Sequence, residues 1–179
     1  MVARALLGKV LLRRLPEGLA AVRITEVEAY LGVGDAAAHT FGGRRTARNE
    51  TMWGEAGRLY VYFTYGMHHC ANVTTRAPGQ PEAVLLRGGV VVAGAEMVRA
   101  RRRRSAGSRL LDGPAKLCQG LGIDRTLDGA DVTVPGEVWL ADDGAVVPRN
   151  RICARVRVGV AYAGAAAAWP LRFVLDLEP

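Results

Sequence analysis

The chain has 179 residues, of which 50% are hydrophobic, and this is enough for one domain with a core of its own. Lys and Arg number 24 against 17 Asp and Glu, giving a net charge of +7 and a pI near 9.9, which favours a polyanionic partner over a neutral one. Three widely separated cysteines exclude a disulfide framework and a C-x-x-C zinc motif, and no segment reaches the roughly 20 apolar residues that a membrane helix needs.

Residues 3–14 open the chain with apolar side chains at approximately helical spacing, which predicts a short helix or a helix followed by a strand. The side chains expected to point inward are Leu6, Leu7, Val10 and Leu11. Gly8 and two arginines interrupt the apolar run and no cleavage-like segment follows, so we expect no secretory leader. We therefore expect a monomeric cytoplasmic protein, nucleoid-associated if bacterial, that forms a single domain over residues 1–179.

A long strand, predicted at residues 19–31, carries two carboxylates. Successive strand side chains point to opposite faces, so Glu26, Glu28 and Tyr30 share one face. Two ionised carboxylates about 6 to 7 Å apart repel each other unless a cation, solvent or different burial separates their pKa values, and acid–base sites are built in this way. A solvated edge strand shows the same pattern, so the strand by itself leaves both interpretations open.

The segment after this strand adds further reactive groups within a few residues. Asp35 is expected to cap a short helix that begins at Ala36 and ends near His39. Residues 42–45, Gly-Gly-Arg-Arg, then combine backbone that can approach a ligand closely with guanidinium groups suited to phosphate. Carboxylates, an aromatic ring, a histidine and an anion-binding loop therefore follow one another closely, which favours a reactive site over an inert edge strand.

A second strong strand is predicted at residues 58–65, followed by a hairpin turn and a returning strand. Tyr60 and Tyr62 project from one face of this strand, and Tyr65 lies exposed at the hairpin tip. An exposed tyrosine at a tip is often incidental, but on a basic protein it could also insert between nucleic-acid bases. The local sequence does not decide between these two interpretations.

Arg87 ends an apolar strand predicted at residues 83–87, where its charge needs a partner, and Glu28 is one candidate. The glycines at residues 88–89 then end this strand or form a bulge.

A helix predicted at residues 92–104 ends in four arginines, which form either a phosphate contact or a solvated basic patch. Further predicted elements are a helix that starts at Pro114, a hairpin at 138–147 with its tip at Asp143-Gly144, and a strand at 151–160 with Arg157 on the side opposite to the valines.

Several blocks of residues occur in a specific order along nearly the whole chain. They are E-V-E-A-Y-L-G at 26–32, D-A-A-A-H at 35–39, G-G-R at 42–44, L-Y-V-Y-F-T-Y-G-M at 59–67, C-A-N at 70–72, L-L-R at 85–87, G-P-A-K-L-C-Q at 113–119 and P-L-R-F at 170–173. With these blocks the chain resembles the alkyladenine, or 3-methyladenine, DNA glycosylase family that lacks the helix-hairpin-helix fold. The resemblance implies an α+β domain with a curved antiparallel β-sheet flanked by helices, acting on double-stranded DNA that contains damaged purines.

The resemblance also implies a hydrolytic mechanism in base excision repair. Glu28 would be the base that activates a water against C1′ of a flipped nucleotide, and Arg87 and the main-chain carbonyl of Val158 would help to hold that water. No lysine lies near Glu28 or Tyr65 in the sequence, so simple hydrolysis is expected rather than an imine-forming lyase step. We expect no metal and no cofactor.

The remaining roles implied by the resemblance concern the base pocket and the DNA. The residues expected to line the pocket are Tyr30, His39, Tyr62 and Asn72, with Asn72 discriminating against the amino group of guanine. Tyr65 would fill the gap left in the DNA stack, with Met67 beside it. From residue type and position rather than from the resemblance, Arg44, Arg45 and Lys116, the last in the first turn of a predicted helix, are expected at the DNA backbone.

Four residues depart from the pattern of that family and lie beside the expected site. Ala47 stands where proline is common, Phe41 follows Thr40 where a polar residue is common, and His68-His69 replaces an aromatic pair. Adjacent histidines on a strand face opposite ways, so they do not suggest a metal site. These departures bear on which lesions the site accepts.

Two other functions fit parts of the pattern. A carbohydrate hydrolase would use Glu26 and Glu28 as its two carboxylates, but side chains two apart on one strand are poor partners on opposite faces of a sugar. A non-catalytic nucleic-acid-binding protein would stack its tyrosines on bases and gain salt-dependent affinity from its arginines. Binding that ignores lesions, together with a dispensable Glu28, would identify this second alternative.

Overall fold

One antiparallel β-sheet of eight strands dominates the computed structural model, which describes residues 2–103 and 110–176. The strands are β1 (Val10–Leu15), β2 (Gly18–Tyr30), β3 (Leu59–Thr64), β4 (His68–Thr74), β5 (Ala83–Ala93), β6 (Val138–Ala141), β7 (Ile152–Arg155) and β8 (Arg172–Leu175). The α-helices of the described residues are α1 (Val2–Leu6), α2 (Ala95–Arg102) and α3 (Pro114–Leu121). The sheet is antiparallel and curved, and the α-helices accompany it, so the predicted α+β fold is confirmed. No helix in residues 2–103 or 110–176 is long and apolar enough to cross a membrane.

Strand β2 is the centre of the sheet and positions most of the reactive groups. The strand order is β3-β4-β5-β2-β1-β6, and β7 pairs with β8. One edge of β2 pairs with β5, while its other edge pairs first with β1 and then, at residues 26–28, with β8. Because β2 has a neighbouring strand on both edges at Glu28, its backbone is held on both sides there.

A bulge interrupts the pairing of β2 with β5 beside Arg87. The register shifts between the pair Glu26–Gly88 and the pair Val27–Leu86, so Arg87 lies opposite no residue of β2. Bulges re-aim a side chain and are frequent next to functional sites. The bulge predicted after the apolar strand is therefore present, and β5 continues beyond it rather than ending there.

The hydrophobic core lies on the sheet face opposite to Glu28. Val27 and Ala29 of β2 pack into this core, so the alternation predicted along β2 is confirmed. Other buried members of the core include Leu59, Val61, Leu86, Val98, Leu117 and Leu121. Burial of each valine or leucine side chain contributes about 1.5–3 kcal/mol, so this face anchors β2 and leaves the opposite face available for polar groups.

Three further predictions of local structure are confirmed. The chain opens with α1 followed by β1. All four side chains predicted to face inward are buried, namely Leu6, Leu7, Val10 and Leu11. The hairpin between β3 and β4 turns at Tyr65 and Gly66, which have φ values of 51° and 66°. Helix α3 starts at Pro114 and ends at a left-handed Gly122.

The helix predicted after Asp35 and the long strand predicted at 151–160 are both wrong, for one physical reason. Strand β7 stops after four residues, and Arg157 turns inward to form a buried ion pair with Asp35. As a result Val158 is half exposed while Arg157 is buried, which reverses the predicted alternation. Residues 36–40 form turns and a bend because the Asp35 carboxylate is engaged by this pair and by nearby main-chain N–H groups.

Two other predicted elements are shorter than expected. The helix predicted at 92–104 starts later than expected, at Ala95 of α2, because β5 extends to Ala93. Arg104 lies outside the described residues. The hairpin predicted at 138–147 has a first strand, β6, but no second strand, so this prediction is wrong. Asp143 does not turn a hairpin but forms an ion pair of 2.7 Å with Arg23 of β2.

Candidate active site

A cavity of about 360 Å³ opens on the polar face of the sheet. Strands β2 to β5 supply about half of its lining residues, and the others come from the turn after β2, Met52, the hairpin tip, the start of α3 and the segment after β7. The residues that line it include Tyr30, His39, Tyr60, Tyr62, Cys70, Asn72, Arg87 and residues 158–160. A cavity of this size, with mainly aromatic walls and a few polar groups, suits a small ligand that contains a flat ring system.

Glu28 lies directly behind the wall of this cavity, with 0% of its surface exposed. One carboxylate oxygen accepts hydrogen bonds from the main-chain N–H of Val158 at 2.8 Å, and the other accepts from the Tyr30 hydroxyl at 3.0 Å. The guanidinium of Arg87 is 3.4 Å from the first oxygen. All three partners line the cavity, so the buried carboxylate is satisfied by groups that themselves face the cavity.

Arg87 is the cation that the two carboxylates of β2 require. Its Nε donates to Glu26 at 2.8 Å, and its Nη1 faces Glu28. Burial opposes the charge on Arg87, but Glu28 and Glu26 outweigh that effect and raise its pKa, so the guanidinium remains ionised. Arg172 adds a second contact to Glu26, at 3.1 Å. The candidate partnership of Arg87 with Glu28 is therefore present, and Glu26 shares it.

His39, Tyr60 and Tyr62 form an aromatic wall of the cavity. His39 Nδ1 is hydrogen-bonded to the Tyr60 hydroxyl at 2.8 Å, and its ring meets the Tyr62 ring edge-on with centroids 4.5 Å apart. Burial raises the pKa of Tyr60 and of Tyr62, so both phenols stay protonated at neutral pH. Tyr60 was not among the expected pocket residues, although the alternation of β3 had placed it on the same face as Tyr62.

His39 is expected to titrate below its ordinary pKa of 6.5, because burial, then Arg48 and then Arg44 all disfavour its protonated form. The imidazole is therefore neutral at pH 7, and its protonation lowers stability as the pH falls through the depressed pKa. An NMR titration of the histidine ring resonances would measure this pKa, with His39→Gln used to assign the signal. A midpoint at or above 6.5 would contradict the described environment.

Asn72 reaches the cavity from β4, where it lies opposite Tyr60 of β3. Only 4% of its surface is exposed, and its side-chain amide donates to the main-chain carbonyl of Tyr60 at 3.2 Å. This hydrogen bond fixes the orientation of the amide in a buried position. A buried amide held in this way can read the hydrogen-bonding edge of a ligand, because leaving one of its polar atoms unpaired is costly.

The mouth of the cavity carries large exposed side chains. Tyr65 is 82% exposed at the hairpin tip, as predicted for that turn, and Met67 beside it is 69% exposed. Tyr162, which was not predicted to contribute, stands on the rim with its hydroxyl 3.2 Å from the carbonyl of Ala37. Exposed apolar and aromatic side chains around a cavity mark a surface that becomes covered when a partner binds.

The three basic residues expected at a phosphate backbone are all on the surface, but they differ in their partners. Arg44 is exposed and makes no ion pair with any residue of the described ranges. Arg45 is paired with Glu50, with 2.9 Å between Nε and Oε2. Lys116, in the first turn of α3, is paired with Asp112 at 2.5 Å. Arg44 is therefore the most available of the three for an external anion.

Arg48 is a basic residue beside the cavity that sequence reasoning did not select. Its guanidinium donates to the carbonyl of Phe63 at 3.0 Å and lies 5.6 Å from the centre of the Tyr62 ring.

Two of the arginines at the end of α2 bind to other groups of the protein. Arg101 is paired with Glu17 at 2.7 Å, and Arg102 donates to a main-chain carbonyl at 3.0 Å, which favours a structural role for these two residues.

No group of three or more His, Cys, Asp or Glu side chains in residues 2–103 and 110–176 is arranged to hold a metal ion. The arrangement instead offers a buried carboxylate, a guanidinium that supports it and a cavity with aromatic walls. Such a set can polarise a water molecule next to a bound ring system.

Comparison with known proteins agrees with this geometry. The family model described as methylpurine-DNA glycosylase (MPG) matches residues 1–179. A protein of Methanocella arvoryzae with a provisional 3-methyladenine DNA glycosylase name is 46% identical over 173 residues, which cover 96% of this chain and 84% of the relative. The human protein named DNA-3-methyladenine glycosylase is 43% identical over 189 residues, which cover 99% of this chain and 62% of the human protein. The chain therefore belongs to the methylpurine-DNA glycosylase family.

Proposed function

We propose that this protein is a monofunctional DNA glycosylase that removes alkylated or deaminated purines from double-stranded DNA by hydrolysis of the N-glycosidic bond. The observation that carries the proposal is the position of Glu28, which is fully buried and yet separated from an aromatic cavity only by its own hydrogen-bond partners. The family and the names of its relatives support the same activity. We further propose that the protein acts as a monomer in the cytoplasm, at the nucleoid if it is bacterial.

The cavity can receive a purine only if the nucleotide leaves the double helix. Extrusion of a base costs a few kcal/mol, and the cost is smaller for a damaged or mispaired base. In the proposed complex Tyr65, with Met67 beside it, occupies the gap in the stack. Arg44, Arg45 and Lys116 would hold the flanking phosphates, for which Arg45 and Lys116 must share or exchange their present carboxylate partners.

In the proposed reaction Glu28 removes a proton from the water that attacks C1′ of the flipped nucleotide. Arg87 supports the ionised form of Glu28 from 3.4 Å and, with the main-chain carbonyl of Val158, helps to hold that water. The adjacent N–H of Val158 donates to Glu28, so the same residue contacts both the base and the proposed water site. No lysine is required, because the bond is hydrolysed and no imine is formed.

The proposed pocket selects purines by shape and by one amide. Tyr30, His39 and Tyr62 provide flat or edge-on aromatic contacts to the extruded ring, and Asn72 disfavours the amino group of guanine.

Alkylated purines that carry a positive charge leave readily, so little acid assistance is needed for them. Neutral deaminated purines are poorer leaving groups, and we expect their excision to be slower.

The direct test is incubation of the purified protein with duplexes that contain one 3-methyladenine or one hypoxanthine, followed by alkaline cleavage at abasic sites. We expect strand cleavage at the lesion only after alkali, and none in an undamaged duplex of the same sequence. Release of no damaged purine, combined with binding that does not distinguish damaged from undamaged DNA, would instead support a non-catalytic nucleic-acid-binding protein.

Tyr65→Ala is expected to slow excision from duplex DNA by about tenfold, because stacking of one aromatic side chain on a base contributes about 1–3 kcal/mol. Excision from a single-stranded substrate should change much less, since no gap in a helix has to be filled. The measurement is the single-turnover rate on both substrates. Tyr65→Phe is the matched control, because it keeps the ring and should keep the rate. An equal loss on single-stranded DNA would argue against insertion of Tyr65 into the stack.

A further inference from the structure

Asp35 and Arg157 form a buried ion pair that the proposed reaction does not use directly. Both side chains have 0% of their surface exposed, and their two contacts measure 2.5 and 2.8 Å, so the pair is bidentate. Asp35 belongs to the turn after β2, whereas Arg157 belongs to the loop after β7. Removing two charges from water is costly, and a buried pair is therefore weak evidence for a purely stabilising role.

The atoms that form this pair also connect it to the backbone around Glu28. Arg157 donates to the carbonyl of Ala29 at 3.0 Å, which lies between Glu28 and Tyr30 in the chain. Asp35 accepts from the main-chain N–H groups of Leu31 and Ala37, each at 3.0 Å. The pair therefore holds the end of β2, the turn that follows it and the loop after β7 in one rigid arrangement.

Both hydrogen bonds on the Glu28 carboxylate depend on the position of Arg157. The donor on one oxygen is the N–H of Val158, the residue that directly follows Arg157. The donor on the other oxygen is the hydroxyl of Tyr30, and the Arg157 guanidinium lies 4.8 Å from the centre of the Tyr30 ring. A displacement of Arg157 would thus move the two donors that orient Glu28, although Arg157 does not itself line the cavity.

We propose that the Asp35–Arg157 pair is a positioning device for the general base, and that it sets the orientation of the Glu28 carboxylate through Val158 and Tyr30. This inference rests on the proposed glycosylase function and extends it to two residues without a contact to the reacting atoms. Positioning errors of about 1 Å can lower a reaction rate by about 100-fold. The effect should therefore appear in the rate of the chemical step and not in the binding of DNA.

The test uses a double variant, Asp35→Asn with Arg157→Met, which removes both charges and leaves none unpaired in the interior. Three quantities are measured for it and for the unchanged protein. They are the single-turnover excision rate at saturating protein, the protein concentration that gives half of that rate, and the affinity and stoichiometry of binding to a duplex with an abasic analogue. We expect the saturated rate to fall about 10- to 100-fold with the other two quantities nearly unchanged.

Two further variants separate positioning from general stability. Arg157→Lys keeps the charge pair but loses the planar guanidinium, so it should give an intermediate rate. Leu11→Ala opens a cavity in the core at β1, remote from Glu28 in the sheet, and should lower the melting temperature without lowering the saturated rate per binding-competent molecule.

The outcomes are distinct. If the unchanged protein excises damaged purines and the double variant does so at the same saturated rate, the positioning inference is wrong. It is also wrong if Leu11→Ala loses the same fraction of its saturated rate, because the loss would then follow from lower stability. If the unchanged protein excises nothing from damaged duplexes, the proposed function itself fails, and the inference fails with it.

Discussion

Glu28→Gln is expected to abolish measurable excision of damaged purines while affinity for abasic DNA is retained. Glutamine has nearly the shape of glutamate and can still accept a hydrogen bond from the N–H of Val158, so the surrounding structure should persist. It cannot take a proton from water, and loss of a general base lowers a rate by about 10²- to 10⁴-fold. Single-turnover excision and binding to a duplex with an abasic analogue would measure the two properties separately.

Glu26→Gln is the matched control for this prediction. Glu26 lies two residues away on the same face, but its contacts are to Arg87 and Arg172, and it is not bonded to Tyr30 or Val158. We therefore expect a smaller loss of rate from this variant. Retained turnover in Glu28→Gln together with lost turnover in Glu26→Gln would assign the general base to Glu26 instead.

Asp35→Ala is expected to lower the free energy of unfolding by about 3–5 kcal/mol, because it leaves the buried charge of Arg157 without its partner. Urea or guanidinium denaturation would measure the loss. Glu50→Ala provides a comparison, since its pair with Arg45 is on the surface and half exposed, and we expect little change from it. A loss well below 1 kcal/mol for Asp35→Ala would show that the interior accommodates an unpaired Arg157 in some other way.

The effect of Asp35→Ala should also depend on pH. Burial opposes ionisation of Asp35, but hydrogen bonds from Arg157 and from the main chain at Leu31 and Ala37 outweigh it and lower the pKa of Asp35 below its ordinary value of 3.8. A carboxylate with a depressed pKa contributes its full stability above about pH 4, and that contribution is lost as the pH falls through the lowered pKa. The difference in unfolding free energy between the unchanged protein and Asp35→Ala should therefore shrink in acid.

The local predictions that the structure confirms depend on short-range geometry. Alternation along β2 placed Glu26 and Glu28 on one face, and the same rule applied to β3 placed Tyr62 on the polar side. Strand periodicity is a property of neighbouring residues, so it can be seen without knowledge of the fold. The turn at Tyr65 was recognised for the same reason.

The predictions that failed involve contacts between distant segments. A regular alternation in residues 151–160 favoured a strand, yet Arg157 pairs with Asp35 across 122 positions of the chain. An Arg157 kept in a regular strand would leave the buried carboxylate of Asp35 without its partner, and this costs more than the modest preference of a short segment for extended structure provides. The tip of the predicted hairpin also has a distant partner, because Asp143 forms an exposed ion pair with Arg23, 120 positions away.

The sequence by itself determined the class of fold, the residues on the polar face of β2 and, through the order of its motifs, the family to which the chain belongs. Only the tertiary structure decided that Val158, 130 positions from Glu28, donates to its carboxylate, and that Arg87 stands between Glu28 and Glu26. It also decided which arginines form ion pairs within the protein, such as Arg101, and which remain exposed, such as Arg44. Secondary structure and residue type are encoded locally, whereas the environment of a charge depends on which remote segments the folded chain brings beside it.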